Sequence, residues 1–267
     1  MRVAVLGGSG KTGRAIAAAL ESRAASVTSV GRREWGDLVG ALRGCDAVSV
    51  IAPNFHPDEP EYVAEVLAAV EAAGVTRLVY HSVATPYAPA MPHHVGKARS
   101  EDLVRRSPTA WTVLQPCAYV QNLVPALQSA LRSADPVLEV PYAVDRPFGL
   151  VDLQDVAEAT ARVLLDDGHV GATYELGGPT LVTVADVADA AGTALGGPIT
   201  ARRVDPASWA AGPGSALDEG VRAGLLAMYE YYDRYGLPAG GRVLRDLLGG
   251  RSTPLGETLA RELGPVG

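Results

Sequence analysis

The first residues able to do chemistry are Gly7-Gly8-Ser9-Gly10-Lys11-Thr12-Gly13, set between a short apolar run and the helix-forming Arg14-Ala15-Ile16-Ala17-Ala18-Ala19-Leu20. Glycines at this spacing let the backbone turn sharply and approach a pyrophosphate, and the next helix offers unpaired N–H groups at its positive dipole end. Both G-x-G-x-x-G, from Gly8, and G-x-x-G-x-x-G, from Gly7, are satisfied in a strand–turn–helix context. Gly10-Lys11-Thr12 also ends a triphosphate loop. That motif needs glycine at position 5, which is Val5, and no acidic residue directly follows the run 46–51 to hold magnesium. A dinucleotide is therefore the expected ligand. The run 26–30 ends in Gly31-Arg32-Arg33, where guanidinium groups suit a 2′-phosphate, so NADP(H) is favoured over NAD.

Lys11 and Lys97 are the only lysines among 23 basic residues. A composition that prefers arginine so strongly leaves lysine where a compact ammonium is needed. His93 precedes Lys97 by one helical turn and projects from the same face. Ser82 directly follows the run 77–81, at the strand end after Tyr80-His81. An imidazole with its ordinary pKa near 6.5 can act as general acid, although the Lys97 charge would depress it and favour the neutral form. The bland alternative for Lys97 is an ion pair with Glu101. Tyr119, beyond Pro116, is either a second candidate proton donor or an amphipathic wall residue. Asn54 and Phe55 follow the third strand, at the edge where α/β sheets bind ligands, and are expected to make contacts. Cys117 reads as a small buried hydrophobe and Asp155 as a helix cap. Four of ten tyrosines fall within 229–235. Tyr229 and Tyr232 share a helical stripe with Leu225, which means core packing or a flat aromatic pocket that Trp209 would join.

These residues need a frame. Strands are predicted at 2–6, 26–30, 46–51, 77–81, 109–115 and 172–176, apolar without alternation as strands buried on both faces should be. Helices are predicted at 12–22, 36–43, 60–73, 94–106, 119–133 and 154–165. The alternation is that of a doubly wound parallel sheet, an α/β Rossmann-type fold over residues 1–176. The insert 135–150, with three prolines, is expected to face the cleft. Beyond residue 177 the pattern becomes a smaller, mostly helical cap to 267, with helices near 184–195, 215–235, 241–248 and 255–263.

The chain has 267 residues and a net charge of -7, which excludes the basic surface of a typical nucleic-acid binder. Two cysteines make no disulfide framework, and no metal-ligand spacing is present. Signal-peptide and membrane-spanning patterns are absent, so a cytoplasmic location is expected. The scarcity of lysine suggests a GC-rich bacterial source, where such proteins often serve secondary metabolism.

The Gly7–Gly13 turn, Gly74-Val75-Thr76-Arg77-Leu78-Val79-Tyr80-His81-Ser82, the His93 to Lys97 helix, Leu114-Gln115-Pro116 through Gln121-Asn122, and Val151-Asp152-Leu153-Gln154-Asp155-Val156-Ala157 occur in the order and spacing of one family. The chain resembles the NmrA-like group of atypical short-chain dehydrogenases/reductases from residue 1 to about 200. The resemblance implies NADP(H), with Ala52, Pro53, Asn54, Ser82, Val83 and Pro116 flanking the nicotinamide and Lys97 on its ribose. In the short-chain dehydrogenase/reductase mechanism a tyrosine stands where this chain has His93. Gln115 replaces the family's usual arginine, and Tyr87 sits in the loop 84–92 beside the substrate. The implied activity is NADPH-dependent reduction of a carbonyl, quinone or imine of a small aromatic or polycyclic substrate, a ketoreductase among them. The family also holds non-catalytic NADP(H) sensors, and a non-redox enzyme on the same scaffold is a further reading. Oligomeric state stays open.

Overall fold

The computed structural model describes residues 1–264, so positions 265–267 of the expected cap lie outside the described residues. Strands β1 (Arg2–Leu6), β2 (Ser26–Val30), β3 (Ala47–Val50), β4 (Arg77–His81), β5 (Ala110–Pro116) and β7 (Thr173–Leu176) form one parallel sheet in the order β2-β1-β3-β4-β5-β7. The chain leaves β1 on one side and returns to β3 on the other. This reversal opens a crevice at the carboxyl ends of β1 and β3, the place where such sheets bind ligands.

Two cores explain why the strands are apolar throughout. Val3, Val5, Ala47 and Val79 pack against α1 (Lys11–Ser22) and α6 (Leu153–Leu165) on one face. Ala4, Leu6, Val48 and Tyr80 pack on the other against α2 (Leu38–Leu42), α3 (Glu59–Ala73) and α4 (Pro92–Arg106). The helix expected at 119–133 is two pieces, a 3-10 turn Val120–Asn122 and α5 (Val124–Ala130), with Pro125 in the first turn of the second.

The insert holds a strand that alternation did not reveal. β6 (Val137–Val140) pairs in parallel with β8 (Thr200–Arg203) in a separate two-stranded sheet. With α5, α7 (Val184–Leu195), α9 (Glu219–Tyr235) and α11 (Leu255–Leu263) it encloses a third core that includes Leu138, Val187, Tyr232 and Leu259. Helix α8 (Pro206–Ala211) buries none of its residues. Helix α10 (Arg242–Leu247) lies on α6 and β7, and its Leu244 belongs to the core of the large sheet.

Three backbone segments cross where the cap meets the sheet. A Cβ on Gly149 or Gly177 would stand 2.3 or 2.1 Å from the Ala239 carbonyl oxygen, one on Gly178 1.8 Å from that of Leu150, and one on Gly241 2.1 Å from that of Gly178. Only residues without a side chain allow this crossing. Asp155 does not cap α6 as expected: Asp152 does, accepting from the Gln154 amide at 2.9 Å, while Asp155 accepts from the Thr253 amide and hydroxyl at 2.6 and 2.7 Å. Among the described residues no helix is long and apolar enough to cross a membrane.

Candidate functional site

One cleft of about 1460 Å³ runs from the Gly-rich turn, past the ends of β1, β3 and β4, into the third core. Single small ligands occupy roughly 300–1,000 Å³, so this space suits a dinucleotide together with a second molecule. Its first end is the turn. Gly7 has φ +77°, a left-handed conformation natural to glycine, and a Cβ on Gly13 would lie 2.2 Å from the Gly7 carbonyl oxygen. Gly10 is the N-cap of α1, with no side-chain cap and no acidic residue in the first turn. Ser9, Gly10, Lys11, Thr12 and Gly13 line the cleft, so the bare helix terminus faces it. Lys11 Nζ donates to Asn122 Oδ1 at 3.3 Å, and burial lowers its pKa against the opposing Glu262 charge.

At the end of β2, Arg32 lines the cleft beside Trp35, whose ring stacks on Tyr62 at 4.6 Å. Glu34 Oε2 accepts from the Gly31 amide at 2.8 Å. A carboxylate thus sits on the backbone of the loop that carries Arg32, the residue expected to read a 2′-phosphate, a feature that sequence reasoning passed over.

The centre of the cleft is held by α4. Lys97 is buried, and its Nζ stands 2.7 Å from Glu59 Oε1 and donates to the His81 carbonyl at 3.0 Å. The alternative pairing with Glu101 does not occur: Glu101 accepts from Gln115 Nε2 at 2.7 Å and from Arg105 at 3.2 Å. His93 shares the cleft-facing side of the helix with Lys97 and packs on Phe55 with centroids 4.5 Å apart. Burial, then the charges of Lys97 and His94, lower its pKa to about 3, so its imidazole is neutral at pH 7 and carries no acidic proton. Next to it, Ser82 Oγ is buried without a hydrogen-bond partner, as is His81 Nδ1, whose ring meets Ser49 Oγ through Nε2 at 3.2 Å. Buried polar atoms without partners are rare, and here two residues that line a cleft carry them.

Tyr119 lies against the phosphate turn. Burial raises its phenol pKa, opposed by a hydrogen bond with the Thr12 side chain, so it is oriented to the turn more than to the chamber beyond. That chamber is aromatic. Tyr142 contacts Phe148 at 5.6 Å and Tyr229 at 5.5 Å, and Trp209 meets Tyr229 edge-on at 4.9 Å. Met228, Leu225 and Leu237 complete a wall in which Glu139 is the charged exception.

Ala52, Pro53, Asn54, Phe55, Val83 and Pro116 also line the cleft. Three positions do not. Gly8 is buried, where a Cβ would meet Ser29 Oγ at 2.8 Å, and serves the turn's packing. Arg33 is exposed outside the cleft. Tyr87 is 68 % exposed on the outer face of α4, beside Arg99 and Arg106, because the left-handed Thr85 (φ 54°) carries the loop away. Cys117 is buried as expected, and burial pushes its thiol up to about 12. Sequence reasoning missed Glu59, Trp35 and Tyr142. The signal for Glu59 was its place at a helix start directly after the third strand, among the ligand-facing edge loops. Among the described residues no group of His, Cys, Asp or Glu is arranged to hold a metal ion.

The family model described as the NmrA-like family matches residues 31–244. An NAD(P)H azoreductase of Xenophilus azovorans is 29% identical over 182 residues, 67% of this chain and 62% of that protein. The chain therefore aligns with less than two thirds of that relative's length. The crystal structure of an NADPH-dependent quinone oxidoreductase from Escherichia coli, complexed with NADPH, superimposes with a TM-score of 0.83 at 22% identity, covering 98% of this chain and 100% of that one. The structure of NmrA, a negative transcriptional regulator, in complex with NAD gives 0.79 at 16% identity over 97% and 94%. At these identities the superpositions establish a common fold.

Proposed function

The chain belongs to the NmrA-like family, and from that premise we propose that it is an NADPH-dependent reductase of the atypical short-chain dehydrogenase/reductase type acting on a small, flat aromatic substrate. The observation that carries this reading is the continuity of the cleft: a phosphate turn, a central lysine with an unpartnered serine hydroxyl, and an aromatic chamber line one space. The azoreductase and quinone-oxidoreductase relatives support the reaction class.

NADPH, when bound, supplies the hydride. In this reading the bare amino terminus of α1 and Lys11 hold its pyrophosphate, and Arg32 holds the 2′-phosphate. Lys97 directs an N–H to the nicotinamide ribose. Ser82 Oγ donates to the carbonyl, quinone or imine acceptor, which orients it and stabilises charge growing on that atom, and the proton that completes the reduction passes through this hydroxyl from solvent. His93 and Phe55 form a neutral wall over the reacting face. The aromatic chamber excludes water and favours uncharged, planar acceptors.

The test is NADPH consumption with a panel of quinones, azo compounds and polycyclic ketones, with NADH as control. Turnover that is at least tenfold faster with NADPH and lost in Lys97→Ala supports the reading. Arg32→Ala should abolish the preference for NADPH, whereas Glu34→Ala should sharpen it, since the carboxylate beside Gly31 repels a 2′-phosphate. Tight NADPH binding with no consumption by any acceptor would sink it. That result would favour a sensor, a reading supported by the neutral imidazole where the tyrosine donor is expected.

A further inference from the structure

We propose that Glu59 is the positioning residue for Lys97, and that Tyr80 in turn fixes Glu59, so that three elements aim one ammonium into the cleft; this rests on the reading of Lys97 as the group serving a bound dinucleotide. Glu59 opens α3, directly after its N-cap Asp58, where the helix dipole favours a carboxylate. Its side chain is 3 % exposed and that of Lys97 8 %, so neither charge is shared with solvent.

The geometry is one-sided. Glu59 Oε1 takes the Lys97 ammonium at 2.7 Å and accepts the Tyr80 hydroxyl at 2.6 Å, while Oε2 is buried with no partner. Both donors converge on one oxygen. Burial, then the Glu59 charge, push the Tyr80 phenol well above its usual range, so it keeps its proton and donates. Lys97 Nζ also donates to the His81 carbonyl and stands 5.4 Å from the Tyr80 ring centre. An ammonium has three N–H groups. The Glu59 carboxylate and the His81 carbonyl hold the ammonium from two sides, and Lys97 lines the cleft. A four-carbon stem is flexible, so without the carboxylate the ammonium would lose that hold.

Because the chain has two lysines, protein labelled with 13C at the lysine ε-carbon gives two side-chain resonances, assigned through Lys11→Arg. In the free wild-type protein the Lys97 signal should show inequivalent ε-protons, the mark of an ordered side chain. Glu59→Gln keeps the shape and the accepting oxygen but removes the charge. It should collapse the Lys97 ε-protons to one mobile signal, leave Lys11 unchanged, and lower kcat with NADPH at least tenfold while changing the NADPH Kd less than threefold. Tyr80→Phe should do the same more weakly, and it decides the matter if Glu59→Gln does not fold. Ordered Lys97 protons and unchanged kcat in whichever variants fold would overturn the proposal and make the pair purely architectural. The underlying reading fails separately, if saturating NADPH leaves the wild-type Lys97 resonance where it was.

Discussion

Ser82 and the buried histidines make opposite predictions at the scale of single residues. The Ser82 hydroxyl lacks a partner in the free protein, and a buried polar group left unpaired costs about 1–3 kcal/mol. Ser82→Ala should therefore raise the urea midpoint slightly while reducing turnover roughly 100- to 1,000-fold, as loss of one oriented donor does. A variant both less stable and equally active would show that the hydroxyl serves the fold. His81 and His94 are buried and neutral, with pKa values lowered, chiefly by burial, to about 3 and about 4. Unfolding frees both to take protons below their ordinary pKa near 6.5, so the unfolded state gains protons and stability falls as pH drops from there towards 4. At pH 5 the loss is about 2 kcal/mol per imidazole, which urea titrations at pH 7 and pH 5 should register and His81→Gln should reduce.

Elements were legible where their pattern was local and their burial two-sided. β1 and β3 announced themselves by runs such as Val3-Ala4-Val5-Leu6, which pack into cores on both faces. β8 did not, since Thr200-Ala201-Arg202-Arg203 has no fully buried side chain, with only Ala201 touching the third core, and its partner β6 lies far back in the sequence. The same distinction divides the site: the Gly-rich turn is contiguous in sequence, whereas Glu59 finds its purpose through Tyr80 and Lys97 on two other elements. Helix α9 meets Phe55, itself left-handed at φ 54°, through Gly224, where an added Cβ would stand 2.9 Å from the ring. Gly224→Ala gains up to about 1 kcal/mol in helix propensity against an overpacking cost of about 1–3 kcal/mol. Stability should therefore change little, while the displaced ring narrows the passage. We expect KM for bulky acceptors to rise two- to tenfold with NADPH affinity unchanged, measured by steady-state kinetics and calorimetric titration.

For the whole molecule, the carboxy-terminal helix is tied back to the sheet by one buried carboxylate. Asp152 accepts from Arg261 at 2.7 Å, Thr258 at 2.9 Å and Gln121 at 3.0 Å, as well as capping α6. Burial opposes its ionisation, but the hydrogen bonds from Gln154, Arg261, Gln121 and Thr258 hold its pKa below the usual carboxylate range. The Arg261 side chain is 42% exposed, so solvent screening reduces the effect of Arg261→Ala to about 1–2 kcal/mol. That loss should appear in full above the ordinary carboxylate pKa and vanish as pH falls through the lower native value, a contrast that thermal melts at pH 7 and pH 3 would reveal. The glycine crossing at 149, 177, 178 and 241 has a consequence for motion. Hinges need slack, and segments whose backbones touch at side-chain-free positions have none. The crossing pins sheet to cap, which leaves α8, none of whose residues is fully buried and whose Trp209 meets Tyr229 edge-on at 4.9 Å, as the wall of the aromatic chamber with the fewest buried anchors of its own.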